Sequence, residues 1–265
     1  MDLHSASIVS GTAGWSLPRA EQPHFPPVGS HLERYSSRFA AVEINSSFHR
    51  SHKAAIWARW RDATPSGFRF SVKMPKAITH TARLNGAAEL VAAFIQEVSV
   101  LEAKLACLLV QLPPSLGYDA NVAESFFADL RARTSVATAC GPRHESWFGP
   151  EADSLLREFK VSRVAADPAR VPAAAEPGGS RALSYFRLHG SPKVYYSAYP
   201  DEFISRLAAR LQRETEENRV AWCIFDNTTL GAATRNALDL AIALRRTSLS
   251  EQPPLVSATL YASRC

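Results

Sequence analysis

The feature that most constrains this chain is an alternation of two periods. Short apolar runs of strand length, each closed by a polar residue, exchange with segments whose apolar positions recur at helical spacing, and the exchange repeats from Ala6 to Leu244 of a 265-residue chain. The first strand runs through Ala6-Ser7-Ile8-Val9 into a glycine-rich turn, Gly11-Thr12-Ala13-Gly14-Trp15. A helix is expected near His31 to Phe39, then a strand from Ala40 to Asn45, a helix from Lys53 to Asp62 and a strand from Phe68 to Met74. Leu90, Phe94, Val98 and Leu101 share one helical face between Gly86 and Ala103, and the following LACLLVQLPP reads as a strand stopped by Pro113 and Pro114.

The second half continues the pattern. Helix Val122 to Arg133 leads to strand Ser135 to Cys140, and helix Glu151 to Phe159 leads to strand Val161 to Ala166. Pro168 to Arg181, rich in Pro, Ala and Gly, reads as a loop. Strand Ala182 to His189, helix Asp201 to Glu216, strand Val220 to Phe225 and helix Gly231 to Leu244 follow. Eight strands interleaved with helices over about 250 residues are expected to form a single-domain (β/α)8 TIM-type barrel, spanning 1–247, with a C-terminal tail over 248–265. A doubly wound open sheet is the competing arrangement. It lacks support, because no G-x-G-x-x-G follows the first strand and no G-x-x-x-x-G-K-[ST] occurs.

Composition removes other classes. A chain 46% hydrophobic and 21% charged has too much apolar surface to stay disordered, and four scattered cysteines, Cys107, Cys140, Cys223 and Cys265, form no C-x-x-C pair for zinc or redox chemistry. No run of eighteen apolar residues suits a membrane span, and the start, MDLHSASIVSGTAGW, lacks a basic and then apolar leader, so a cytosolic protein is expected. The formal charge of +5 comes from 24 Arg and 6 Lys spread along the chain without a basic block. That dispersion argues against a nucleic-acid surface.

In barrels of this type the chemistry lies at the carboxyl ends of the strands. Glu43 and Asn45 close the second strand, Lys73 the third and Gln111 the fourth; the fifth runs into Arg143 and His144. Asp167 ends the sixth, Tyr185, Arg187 and His189 lie on the seventh, and Asp226 and Asn227 follow the eighth. Residues two apart on a strand share a face, so Tyr185, Arg187 and His189 point together while Phe186 and Leu188 point to the helices. Gathering such polar groups at strand ends is costly unless a ligand uses them.

The motifs GTAGWS (Gly11 to Ser16), VEINSSFHR (Val42 to Arg50), FSVKMPKAITH (Phe70 to His80), LVQLPPSL (Leu109 to Leu116), RHESW (Arg143 to Trp147), YFRLHG (Tyr185 to Gly190) and FDNT (Phe225 to Thr228) carry a resemblance. In that order they resemble the YecE-like family, a domain of unknown function numbered seventy-two. The resemblance spans nearly the whole chain and implies a TIM-type barrel, but no established reaction. The family's fifth-strand motif is closer to E-F-R-H-x-S-W, and here Gly141-Pro142 replaces the acid and aromatic; its eighth-strand motif is closer to N-N-T, where this chain has Asp226-Asn227-Thr228.

The chemistry expected is hydrolysis or isomerisation of a small anionic or sugar-like molecule. Lys73, Arg143 and Arg187 would hold the anion, Glu43 would act as general base, and His189 or His144 as its acid partner. A metal-assisted version would need Glu43, Asp167, His189 and Asp226 to converge, and no H-x-H or H-E-x-x-H pair marks such a site, so the cofactor stays open with metal disfavoured. The alternative is a non-catalytic protein binding nucleic acid or a protein partner through Trp15, Phe48, Trp147, Tyr195, Tyr196 and Tyr199.

Overall fold

In the computed structural model, which describes residues 8–216 and 219–250, strands and helices alternate except over 161–188, where four strands follow one another without an α-helix between them. The first half is β1 (Ile8–Thr12), α1 (His31–Ser36), β2 (Ala41–Ile44), α2 (Ala54–Asp62), β3 (Arg69–Lys73), α3 (Ala88–Val98), β4 (Leu105–Gln111), α4 (Ala120–Arg133) and β5 (Ala137–Gly141). The second is α5 (Pro150–Glu158), β6 (Val161–Arg163), β7 (Ala165–Asp167), β8 (Gly178–Gly179), β9 (Leu183–Leu188), α6 (Asp201–Thr215), β10 (Val220–Phe225) and α7 (Ala232–Ser250). Local signals start several helices. Ser30 and Glu33 form a reciprocal capping box ahead of α1, Asp119 accepts the Val122 amide at 3.1 Å to cap α4, and Pro150 opens α5.

The strands form two sheets, ordered β1-β10-β9-β7 and β2-β3-β4-β5-β6-β8. All pairings are parallel except β6 with β8. The two sheets touch at two places. On one side Ala13 bridges Glu43 in parallel, and the Gly14 amide donates to the Glu43 carbonyl at 2.8 Å. On the other, the run expected as one strand, Val161 to Ala166, is two short strands that hand the chain from one sheet to the other across Val164, whose amide donates to the Cys140 carbonyl at 2.8 Å.

Two other expectations are corrected. The helix expected over Gly86 to Ala103 ends at Val98, because Glu102 adopts a positive φ of 52° within a 3-10 segment and turns the chain into β4. The expected loop Pro168 to Arg181 contains a 3-10 turn, Pro172–Ala175, and β8, where the Arg163 guanidinium lies so close that a side chain at Gly178 would collide with it. Of the expected tail, residues 248–250 continue α7, and 251–265, with Cys265, lie outside the described residues, as do Ala6 and Ser7.

The core has two compartments. The larger lies between strands and helices and includes Trp57, Phe70, Phe127, Leu156, Phe186 and Leu188. Fully burying each such side chain contributes about 1.5–3 kcal/mol. The smaller is built by strand residues facing one another, among them Val9, Ala41, Leu109, Ala139, Tyr185 and Trp222. Tyr185 and Phe186 thus go to different compartments, as the two-residue period of a strand requires. The thiols of Cys107, Cys140 and Cys223 are buried and unpaired.

Candidate functional site

Arg187, 1% exposed on β9, organises the polar residues above the smaller core. Its Nε donates to Glu43 Oε2 at 3.0 Å and its Nη2 to Glu43 Oε1 at 2.7 Å, a two-point grip on a fully buried carboxylate. Nη2 also donates to Asp226 Oδ2 at 2.9 Å, and Nη1 to Gln111 Oε1 at 3.0 Å. The Tyr185 hydroxyl lies 2.8 Å from both Glu43 Oε2 and Ser71 Oγ. Glu43 and Ser71 are register partners across β2 and β3, which sets this layer two residues deeper than Lys73.

His189 sits directly above. Its Nε2 is 3.0 Å from Arg187 Nη1 and 2.7 Å from Arg143 Nη2, and its Nδ1 is 3.2 Å from the Asp167 carbonyl. Two guanidinium donors face Nε2 and a carbonyl faces Nδ1, which assigns the neutral tautomer carrying its proton on Nδ1. The carboxylate of Asp167 accepts the Tyr199 hydroxyl at 2.7 Å and stays at the rim.

Over this layer opens a cavity of about 670 Å3, a size suited to a small molecule. Lys73, Arg143, Arg170 and Arg187 line it together with His189 and Gln111. Among the described residues neither Lys73 nor Arg143 forms an ion pair; the Lys73 ammonium lies 4.2 Å over the Phe48 ring and Arg143 holds His189.

The electrostatics follow from burial and from who shares Arg187. Burial works against the charge of Arg187, but Glu43 and Asp226 outweigh it and raise its pKa. Burial likewise opposes the Glu43 carboxylate, yet the charge and hydrogen bonds of Arg187, with Lys73 and Tyr185, hold its pKa below the ordinary value. Asp226 receives a single bond from the shared guanidinium. Burial, reinforced by the negative charge of Glu43, raises its pKa despite Arg187, Lys73 and Arg143. Burial and the nearby Arg187 bring Lys73 down to about 8, against the opposing pull of Glu43 and Asp226. Burial, Arg187 and Arg143 together bring His189 down to about 2.

Nine of the residues marked from sequence therefore sit in one connected arrangement: Glu43, Lys73, Gln111, Arg143, Asp167, Tyr185, Arg187, His189 and Asp226. Three stand apart. Asn227 turns away from Asp226, as alternation requires, and its amide donates to the Ser197 carbonyl and to Asn236 Oδ1. His144 pairs with Ser146 at 2.8 Å and caps the turn Glu145–Phe148. Asn45 precedes the short turn Ser46–Phe48, and its Oδ1 is buried without a hydrogen-bond partner. Gly141, which replaces the acid of the family motif, packs against Gln111; a Cβ there would come 2.8 Å from Gln111 Oε1.

Two of the residues with expected catalytic roles are fully engaged. Glu43 has both oxygens engaged and does not line the cavity, and His189 has both ring nitrogens engaged and stays neutral. Arg170 was missed because it lies in the segment read as a loop; a lone arginine three residues beyond the strand-end Asp167 was the available signal. Of the aromatics marked for base stacking, Trp147 and Tyr199 are buried and Trp15 packs edge-on to Trp60 at 5.1 Å. Tyr195 and Tyr196 are exposed beside the cavity mouth. Among the described residues no group of three His, Cys, Asp or Glu side chains is placed to hold a metal ion, since Arg187 stands between Glu43 and Asp226. No described helix is long and apolar enough to cross a membrane.

Comparison with known proteins gives the family. The chain is 32% identical over 165 residues to the UPF0759 protein YecE of Escherichia coli strain K12, an alignment covering 60% of each chain. It is 29% identical over 149 residues to the UPF0759 protein YunF of Bacillus subtilis strain 168, covering 54% of this chain and 53% of that one. The chain thus spans less than two thirds of the length of these relatives. A crystal structure of a DUF72 family protein, EF0366 from Enterococcus faecalis V583, superposes with a TM-score of 0.76 at 21% identity over 90% of this chain and 95% of its own. Another, TM1631 from Thermotoga maritima MSB8, gives 0.71 at 23% identity over 90% and 99%. Residues 9–258 match the family described as protein of unknown function DUF72, and the chain belongs to that family.

Proposed function

We propose that this protein is an enzyme that binds a small anionic, sugar-sized molecule in the 670 Å3 cavity and hydrolyses or isomerises it, with β1 to β5, the β6–β7 pair counted as one strand, β9 and β10 closing into a (β/α)8 barrel around the buried polar layer. Closure is supported by the Ala13–Glu43 bridge on one side, the transfer of the chain from β6 to β7 on the other, and the strand-only core between them. A cytosolic location fits the unpaired thiols of Cys107, Cys140 and Cys223.

The observation that carries the reading is an imbalance of charge. The carboxylates of Glu43 and Asp226 are committed to Arg187 and that of Asp167 accepts the Tyr199 hydroxyl, which leaves Lys73 and Arg143 facing the cavity without a counter-ion among the described residues. Arg170 adds a third cation at the lining. Such desolvated cations are costly alone and are stabilised by a bound carboxylate or phosphate. Asp226 takes the proton-transfer role expected of Glu43: neither carboxylate is in the cavity lining, but 12% of the Asp226 side chain is exposed against none of Glu43, and its carboxyl titrates higher. Neutral His189 holds Arg143 and Arg187 in place rather than passing a proton.

Titration calorimetry with inorganic phosphate and with sugar phosphates tests this. Binding that disappears in Arg143→Ala, with turnover lost in Asp226→Asn, is the expected result. Binding undiminished in both Arg143→Ala and Lys73→Ala overturns the assignment.

A further inference from the structure

Lys73 differs from the other lysines of the chain. Of the six, Lys53, Lys76, Lys160 and Lys193 are exposed, and Lys104 donates to the carbonyls of Arg61 and Thr64. Lys73 alone lines the main cavity, and its ammonium makes no hydrogen bond or ion pair among the described residues. What holds it is the face of Phe48, a contact that positions the nitrogen without supplying an acceptor for its protons. A lysine kept only as an anion-binding point charge gains from hydrogen-bond acceptors and carboxylates around it. Lys73 has no hydrogen-bond acceptor among the described residues, the nearby Glu43 and Asp226 carboxylates are gripped by Arg187, and the guanidinium groups of Arg143, Arg170 and Arg187 share its cavity; desolvation and neighbouring cations activate amines that attack carbonyl groups.

We propose that the substrate is an anionic aldehyde or ketone, and that Lys73 Nζ forms an imine with its carbonyl carbon while Arg143 holds the anionic group. The inference rests on the anion-binding reading above and names its substrate class. The nitrogen lone pair forms the C–N bond as the carbonyl π pair moves to oxygen. The oxygen takes one proton from the former ammonium group to give a carbinolamine, then a second as it leaves as water. The sum is Lys–NH3+ plus O=CR2 giving Lys–NH+=CR2 plus H2O, with no oxidant or reductant. The neutral amine needed for attack is populated near pH 8, where Lys73 titrates.

Reductive trapping decides it. The full chain is incubated with glyoxylate or glyceraldehyde 3-phosphate and cyanoborohydride, then mapped by peptide mass spectrometry, with uncharged glyceraldehyde in parallel. The expected result is a reduced adduct on Lys73, formed at least about tenfold faster than on any other lysine, faster with the anionic aldehydes than with glyceraldehyde, and slowed by inorganic phosphate. Lys73→Arg, which keeps the cation, abolishes the adduct. If that variant does not fold, protection of Lys73 by phosphate in the unaltered chain separates the same two outcomes. Labelling spread evenly over the six lysines overturns the imine, and equal labelling by glyceraldehyde overturns the anionic substrate. Phosphate binding without any trapped adduct overturns the imine and leaves the anion site standing; neither binding nor trapping overturns both.

Discussion

The Arg187 guanidinium grips the Glu43 carboxylate through two hydrogen bonds, of 2.7 and 3.0 Å, across 144 positions of sequence, with both groups shut away from solvent. The Glu43 carboxylate is tolerable there because of Arg187, which has Asp226 as a second counter-ion, since an unpaired charge at that depth lacks water. Glu43→Gln is therefore expected to destabilise the fold by about 3–5 kcal/mol. Tyr185→Phe, which removes one hydrogen bond to the same carboxylate, should cost only about 1–1.5 kcal/mol. Urea unfolding followed by circular dichroism checks both, and equal losses would show that the ion pair matters no more to the fold than a single hydrogen bond.

How much of this could be read beforehand depends on which interactions are local. The shared face of Tyr185, Arg187 and His189, and the turning of Asn227 away from Asp226, follow from strand periodicity and appear in the structure as expected. The pairing of Arg187 with Glu43 does not, because register between distant strands is set by the whole sheet. Depth was equally hidden. Glu43 and Lys73 both close apolar strands, but register places Glu43 beside Ser71 and so beneath Lys73, which separates a structural carboxylate from a cavity-lining amine. The break at Val164 was hidden because VSRVAAD carries no Gly, Pro or Asn. Arg170 was hidden by the opposite fault, a Pro- and Ala-rich context that reads only as irregular.

At the junction of β1 and β2 the backbone itself is the contact. A side chain at Gly11 would drive its Cβ into the Ala41 carbonyl oxygen, an atom that also accepts the Tyr35 hydroxyl at 3.0 Å, while that hydroxyl accepts the Thr12 amide at 2.8 Å. Gly11→Ala is expected to cost about 3 kcal/mol or more, because backbone rather than a flexible side-chain end must move. Tyr35→Phe leaves the buried Thr12 amide without this acceptor and should cost about 1–3 kcal/mol. Gly67→Ala, where an added Cβ meets nothing within 4 Å, should stay within about 0.5 kcal/mol and serves as the control in thermal or chemical unfolding.

His189 gives the protein a stability slope in acid. Its pKa in the fold, about 2, lies below the ordinary 6.5, so as pH falls through that window the unfolded chain takes up a proton that the folded chain refuses. Stability from this residue is complete above about pH 6.5 and declines toward pH 2, by at most about 1.4 kcal/mol per pH unit. Denaturation midpoints between pH 4.5 and 7 should fall with acid in the parent and fall less in His189→Gln. Imidazole 15N shifts should show a neutral ring with its proton on Nδ1 at pH 5; a protonated ring there would contradict the tautomer assigned from Asp167, Arg143 and Arg187.

Lys73 sets two opposed trends in alkali, and their opposition separates a ligand-binding amine from a structural one. Its pKa in the fold, about 8, lies below the ordinary 10.5, so between these values the unfolded chain binds more protons and stability rises with pH. Below about pH 8 the buried ammonium is charged at a cost, and Lys73→Met should remove that cost and raise the unfolding midpoint. Anion binding needs that same charge. Phosphate affinity should hold steady below about pH 8 and fall above it in the parent, while Lys73→Met should bind roughly ten- to a hundredfold more weakly at pH 7, the loss of one charge-assisted contact of about 1.5–3 kcal/mol. Calorimetric titrations run beside unfolding curves across pH 6.5–9.5 check both trends on one sample. A variant that gains stability and loses affinity shows that Lys73 is kept for its ligand, whereas one that loses stability and keeps its affinity shows a lysine that supports the fold.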